Sequence, residues 1–304
     1  MKCLVTGGAG FIGSNIVDRL IADGHEVIVI DNEYSDAHEK FYWNDKADNH
    51  KLDIRNYNDI EPLFYDVDYV FHLAAEARIQ PAIENPTTAV AINVVGTCNV
   101  LQAARKHNVL RVIYSSTSSA YGLKNPIPLK ESMPKDCLNP YSVSKTAGEE
   151  LCKMYTDLFG LKTITFRYFN VYGERQPLKG QYAPVIGLFL KQHRDGKPMT
   201  VVGDGKQTRD YTYVGDVVEA NLAATICEKG FGEIFNIGTG NQTSINELVE
   251  IIGKRNKGTG RWAHVNIAAR PGECRYTQAD ISKSNEILNW HPKIKLEDWI
   301  ESQE

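Results

Sequence analysis

The sequence has no block of basic residues, no apolar run of membrane-spanning length and no closely set cysteines, and each absence closes off a class of function. At a net charge of −4, general affinity for nucleic acid is not expected, so an anionic ligand must be held by local arginines and backbone amides. The six cysteines, Cys3, Cys98, Cys137, Cys152, Cys227 and Cys274, form no C-x-x-C pair and no zinc-like spacing, which predicts reduced thiols and no metal centre. Without a leader-like segment before the first apolar run or a spanning helix, the expected setting is cytoplasmic, with no membrane partner. There is also no tandem repeat, low-complexity tract or flexible linker. What remains is ordinary for a folded protein: 304 residues, 42% hydrophobic and 24% charged, enough for one large domain or two smaller ones.

Short apolar runs alternate with amphipathic segments through the first half. CLV at 3–5, EVIVI at 26–30, YVFHL at 69–73 and VLRVIY at 109–114 read as buried parallel strands. FIGSNIVDRLIADG carries Ile12, Ile16 and Leu20 at helical spacing, and residues 87–106 form a helix apolar on more than one face. Further strands are read in LKTITFRY and EIFNIGTG, with a helix in VGDVVEANLAATICEK between them. The alternation predicts an α/β fold, a doubly wound parallel sheet of the Rossmann kind with a smaller interleaved C-terminal substrate domain. The boundaries expected are 1–168 for the dinucleotide domain, which also receives roughly 214–238, and 169–304 for the substrate domain.

The first strand runs into TGGAGFIGSNI, where Gly7, Gly10 and Gly13 give a G-x-x-G-x-x-G variant of the dinucleotide fingerprint. Glycines permit a tight turn and close backbone approach, and the following helix offers free amides and a positive dipole end to a pyrophosphate. The second strand ends in Asp31, placed to accept from two ribose hydroxyls and to repel a 2′-phosphate, which favours NAD over NADP.

In NPYSVSK, Tyr141 and Lys145 lie one helical turn apart and can point at one spot. A free phenol titrates near 10, too high for a base at neutral pH. An ammonium about 4 Å away, in an effective dielectric near 20, would favour the phenolate by about 4 kcal/mol. The strand VIYSSTSSAYG supplies hydroxyls at Ser115, Ser116, Thr117, Ser118 and Ser119, at the sheet edge where ligands bind in this fold class.

Together TGGAGFIG, YSSTSSAYG, NPYSVSK and RYFNVYG resemble the extended short-chain dehydrogenases/reductases that act on nucleotide sugars, and most of all the UDP-hexose 4-epimerases. The resemblance spans essentially the whole chain. It implies Tyr141 as base, Lys145 as its electrostatic partner and Thr117 as the hydroxyl that contacts the sugar. It places Gly7, Gly10, Phe11, Ile12, Gly13, Asp31, Asn32, Asp53, Ile54, Leu73, Ala74, Ala75, Asn93, Ser115 and Tyr168 around NAD, with Tyr141 and Lys145 beside them. On the substrate side it implies Asn170, Arg209, Arg270, Glu273 and Thr277, with Arg209 and Arg270 as a clamp for the diphosphate; Arg78 is counted with them, although Arg78-Ile79 stands where many relatives have a Ser-Val pair.

Dehydratases of the resembled group have acids after the serine–threonine pair, and its decarboxylases a glutamate at the second of those places; this chain has Ser118 and Ser119. Elimination then lacks its proton shuttle, so 4-epimerisation leads. In the resembled family the position of Thr277 borders the sugar's C2 substituent, and a small residue there in place of a bulky aromatic implies UDP-GlcNAc/UDP-GalNAc, with UDP-Glc/UDP-Gal as further substrates. The alternatives are a UDP-glucuronate 4-epimerase, for which Arg78 or Arg175 would supply a cation, a 4,6-dehydratase, 5-epimerase or reductase, or a non-catalytic NAD-binding protein. The helices at 87–106 and 141–158 have wide apolar stripes, and the resemblance implies a homodimer through a four-helix interface. The stretch DNEYSDAHEKFYWNDK, rich in acids and aromatics, is read only as a surface loop on the adenine side.

Overall fold

The computed structural model describes residues 1–177, 184–254, 263–268 and 274–303. Seven parallel strands form the main sheet: β1 (Lys2–Thr6), β2 (Glu26–Asp31), β3 (Asp48–Lys51), β4 (Tyr69–His72), β5 (Arg111–Thr117), β6 (Thr163–Tyr168) and β7 (Glu233–Ile237). Their order is β7-β6-β5-β4-β1-β2-β3, so the chain reverses direction across the sheet between β1 and β4. That reversal opens the crevice in which ligands of such sheets bind.

The helices α1 (Phe11–Ala22) and α4 (Val214–Ile226) cover one face; α2 (Pro86–Lys106) and α3 (Pro140–Phe159) cover the other. Alternation along β1 feeds both layers. Cys3 and Val5 pack with Ile16, Val17 and Leu20 of α1 and Val217 of α4. Leu4 packs in the layer with Val100 and Leu101 of α2 and Cys152 and Tyr155 of α3. By length and composition α2 is apolar enough to cross a membrane, yet half of it is buried in the fold, and a π-helical turn at Ala91–Gly96 interrupts its regular winding. Val90 and Val95 of α2 and Val143, Leu158 and Phe159 of α3 stay exposed.

A second core forms from Tyr172, Phe189, Met199, Val201, Leu248, Ile252, Trp299 and Ile300. Three two-stranded pairs belong to this region, Val171–Tyr172 with Thr212–Tyr213, Met199–Val202 with His264–Ile267, and Thr208–Arg209 with Thr243–Ser244. The chain crosses back from it to build α4 and β7, and again at Leu288 and Trp290, which pack into the sheet core. β3 was not anticipated: its sequence, DNHK, has no apolar residue, because it forms the edge of the sheet.

Candidate functional site

A cavity of about 910 Å³ runs along the carboxyl ends of the strands and on toward the second core. Its nearer wall is the glycine turn. Gly7 holds φ +69°, and a Cβ there would stand 2.7 Å from the Ala74 nitrogen; on Gly13 a Cβ would reach 2.1 Å from the Gly7 carbonyl oxygen. Packing alone therefore requires these two glycines. Gly10 is different: a Cβ would meet nothing closer than 3.4 Å, and the residue lines the cavity at the start of α1, where no side chain caps the helix. What a side chain at Gly10 would obstruct is the cavity itself, as expected where a pyrophosphate must approach the first-turn amides.

At the end of β2, Asp31 is buried. It accepts from the Ala9 amide (3.1 Å) and the Glu33 amide (2.8 Å); burial raises its pKa against those bonds. Asn32 donates to Asp53 at 2.9 Å, and Asp53 is held down to about 2, first of all by its hydrogen bond with Arg55. With Ile54, Leu73, Ala74 and Ala75 these residues continue the wall, and the set fits NAD: a bare glycine turn and a carboxylate at the end of β2, with the nearby Arg55 paired to Asp53 and off the cavity lining.

The opposite wall comes from β5 and α3. Asn139 caps α3 by accepting from the Ser142 amide (2.9 Å), and Pro140 occupies its first position, so the helix begins one residue before Tyr141. Two bonds set its register on β5: the Tyr114 hydroxyl donates to the Lys145 carbonyl (3.1 Å) and Ser116 donates to Glu149 (2.6 Å), itself gripped by Arg167 at 2.9 and 2.7 Å. Tyr141, Lys145, Ser115, Thr117 and Tyr168 thereby face the cavity together. The Thr117 hydroxyl neighbours the Tyr141 phenol and favours its ionised form, and it accepts from the Ser119 amide at 3.1 Å.

The electrostatics differ from the expectation that Lys145 pulls the phenol down. Burial raises Tyr141, with the neighbouring Thr117 hydroxyl opposing, and burial lowers Lys145 to about 7. The lysine sits 4.3 Å above the Tyr114 ring. Withdrawal from water acts on both groups and favours the neutral form of each.

Asn93 does not reach the cavity lining. It is fully buried in the π-helical turn, accepting from the Glu76 amide (2.8 Å) and donating to the Glu76 carbonyl (3.0 Å) and Ser144 (2.9 Å), so it braces α3 rather than facing outward. Beneath it runs a directed chain. Thr97 gives its proton to the Asn93 carbonyl (2.7 Å), so it must accept from His72 Nε2–H (2.9 Å). His72 Nδ1 is then the acceptor for Thr6 (2.7 Å), whose oxygen takes the Ala74 amide at 3.2 Å. Burial, then Lys145, depresses His72 to about 3, which keeps the ring neutral.

On the substrate side, Arg78, Asn170 and Arg209 line the cavity. Asn170 donates to the Asp210 carbonyl (2.9 Å), and Arg209 to the Thr208 carbonyl (2.9 Å). Thr277 is not on the lining; its hydroxyl accepts from the Asp210 amide at 3.3 Å. Arg175, considered above as a cation for a uronate, turns to Asp18 outside the cavity. Arg270 and Glu273 lie outside the described residues. The sequence reading missed His38 and Phe41, which also line the cavity and come from the acidic-aromatic stretch.

The chain matches the model of the NAD dependent epimerase/dehydratase family over residues 3–238. It is 36% identical to the UDP-glucose 4-epimerase of Mycolicibacterium smegmatis, across 99% of this chain and 96% of that protein. Among solved structures it resembles the UDP-glucose 4-epimerase of Thermotoga maritima with UDP-glucose, at a TM-score of 0.92 and 37% identity, covering 99% of this chain and 96% of that one. It resembles equally the UDP-N-acetylglucosamine 4-epimerase of Methanobrevibacter ruminantium in complex with UDP-N-acetylmuramic acid, at a TM-score of 0.92 and 33% identity over 99% and 96% of the two chains. With the glycine turn, Asp31 and the Tyr141–Lys145 helix on one cavity, the chain belongs to the NAD dependent epimerase/dehydratase family of enzymes, and NAD is its cofactor.

Proposed function

We propose that the protein is a nucleotide-sugar 4-epimerase acting on UDP sugars, UDP-GlcNAc/UDP-GalNAc before UDP-Glc/UDP-Gal. The observation that carries the reaction type is the pairing of the Tyr141 phenol with Thr117 on the cavity, followed by Ser118 and Ser119 where elimination would need acids. NAD, when bound, supplies reversible two-electron oxidation at the sugar carbon. Tyr141 takes the proton of the 4-hydroxyl on its phenolic oxygen and later returns it. Thr117 orients that hydroxyl, and Lys145, held by burial at about 7, offsets the phenolate charge in its protonated form. The sugar passes through a 4-keto form, turns over, and regains hydrogen on its other face, so no net redox occurs. The second core and the loops around Asn170 and Arg209 hold the nucleotide end, which gives 169–304, less α4 and β7, the role of substrate domain.

Support for the N-acetyl substrate comes from the likeness to a UDP-N-acetylglucosamine 4-epimerase; Thr277, off the cavity lining, does not supply it. The test is incubation with UDP-GlcNAc, UDP-Glc and UDP-glucuronate, followed by proton NMR. The C4 epimer of UDP-GlcNAc should form fastest without added NAD. Fastest turnover of UDP-glucuronate would reassign the substrate, with Arg78 the cation at hand. We also place the enzyme in the cytoplasm as a homodimer, through the exposed apolar residues of α2 and α3.

A further inference from the structure

The acidic-aromatic stretch after β2 is fastened at both ends. The Tyr34 amide donates to Asn32 Oδ1 (3.1 Å), the Trp43 indole to Glu33 (2.9 Å), the Tyr42 amide to the Ala9 carbonyl of the glycine turn (2.9 Å), and Asn44 to Asp18 of α1 (2.7 Å). Its middle arches over the cradle: Ala37, His38 and Phe41 line the cavity, with the His38 and Phe41 rings 5.4 Å apart. The His38 Nε2 lies 3.7 Å from where a Cβ on Gly10 would be, so the imidazole faces the glycine that, unlike Gly7 and Gly13, packing does not require to be bare. Among the described residues its ring has no hydrogen-bond partner.

We propose that His38 is a cofactor ligand of this chain, and that its protonated imidazole, held on this strap, grips the diphosphate of NAD and makes retention of the dinucleotide depend on pH. The inference rests on NAD as the cofactor and goes beyond the catalytic reading. The charges around the ring set the sign. The first turn of α1 carries no acid. From the segment after β4, Arg78 opposes protonation, while it is itself paired with Asp36 of the strap and lies 3.9 Å from Glu76. Glu33 is turned away to Trp43 and Lys51, and Asp31 to backbone amides. Burial and Arg78 lower the imidazole's pKa in the protein alone; a diphosphate dianion reverses that balance, so binding takes up a proton.

The test follows release of dinucleotide, not turnover. Protein loaded with NAD is freed of excess ligand and held at about pH 6 and about pH 8.5, either side of an ordinary histidine, and NAD in the filtrate is measured over time. Release should be roughly five- to ten-fold faster at the higher pH, the scale of one charge-assisted contact. In His38→Asn it should be fast at both; in His38→Lys it should be slow at both. Equal pH ratios in the wild type and His38→Asn, or fast release from His38→Lys at both values, would overturn the assignment.

Discussion

Tyr141 and Lys145 owe their meeting to α3's cap and to two hydrogen bonds with β5, but their charge states are set by burial. Tyr141→Phe should keep NAD and lose about 10²–10⁴-fold in turnover, the usual worth of a positioned base; dinucleotide content and an NMR rate measure the two separately. For Lys145 the sign is fixed by linkage. Its folded pKa, about 7, lies below the ordinary lysine value of 10.5, so between these the unfolded chain binds the extra proton and stability rises with pH. That contribution is present in full above the unfolded value and lost as pH falls through about 7. Lys145→Met should remove this slope, seen as the difference between denaturation curves of variant and wild type taken across that window. None of this was visible in YSVSK: spacing tells which side chains share a face, not how much water they lose. Asn93 teaches the same at another position. A motif match put it near the cofactor, and only its bonds to Glu76 and Ser144 show that it points inward.

The glycine turn separates two reasons for the same residue type, and two variants should split them. Gly13→Ala drives a methyl against the Gly7 carbonyl at 2.1 Å and should destabilise the protein by about 1–3 kcal/mol, seen as a lower melting temperature. Gly10→Ala should melt close to the wild type yet purify with little NAD; a wild-type dinucleotide content would mean that this wall is not the pyrophosphate site. Elements of this sort were legible because their signals are local: a buried run, three spaced glycines. β3 was not, since an edge strand of sequence DNHK needs no apolar face. Nor was the strap, whose anchors on Ala9, Asp18 and Arg78 lie distant in sequence and leave no periodicity to read.

For the molecule as a whole, the exposed Val95 and Leu158 predict self-association. Sedimentation at micromolar concentration should show a dimer, and Val95→Arg with Leu158→Arg a monomer; a monomeric wild type would assign these faces elsewhere. The doubly wound sheet followed from alternation alone, whereas the return of Leu288 and Trp290 to the sheet core did not, because the partner of Trp290 there, Asp216, lies 74 residues back along the chain. The position of β7 carries a consequence for synthesis. β6 lies between β5 and a strand that ends at Ile237, so a nascent chain emerging from the ribosome must hold β6 as an open, hydrogen-bonding edge while about 65 further residues are made. During that interval the half-built sheet is at its most vulnerable to pairing with a neighbour's.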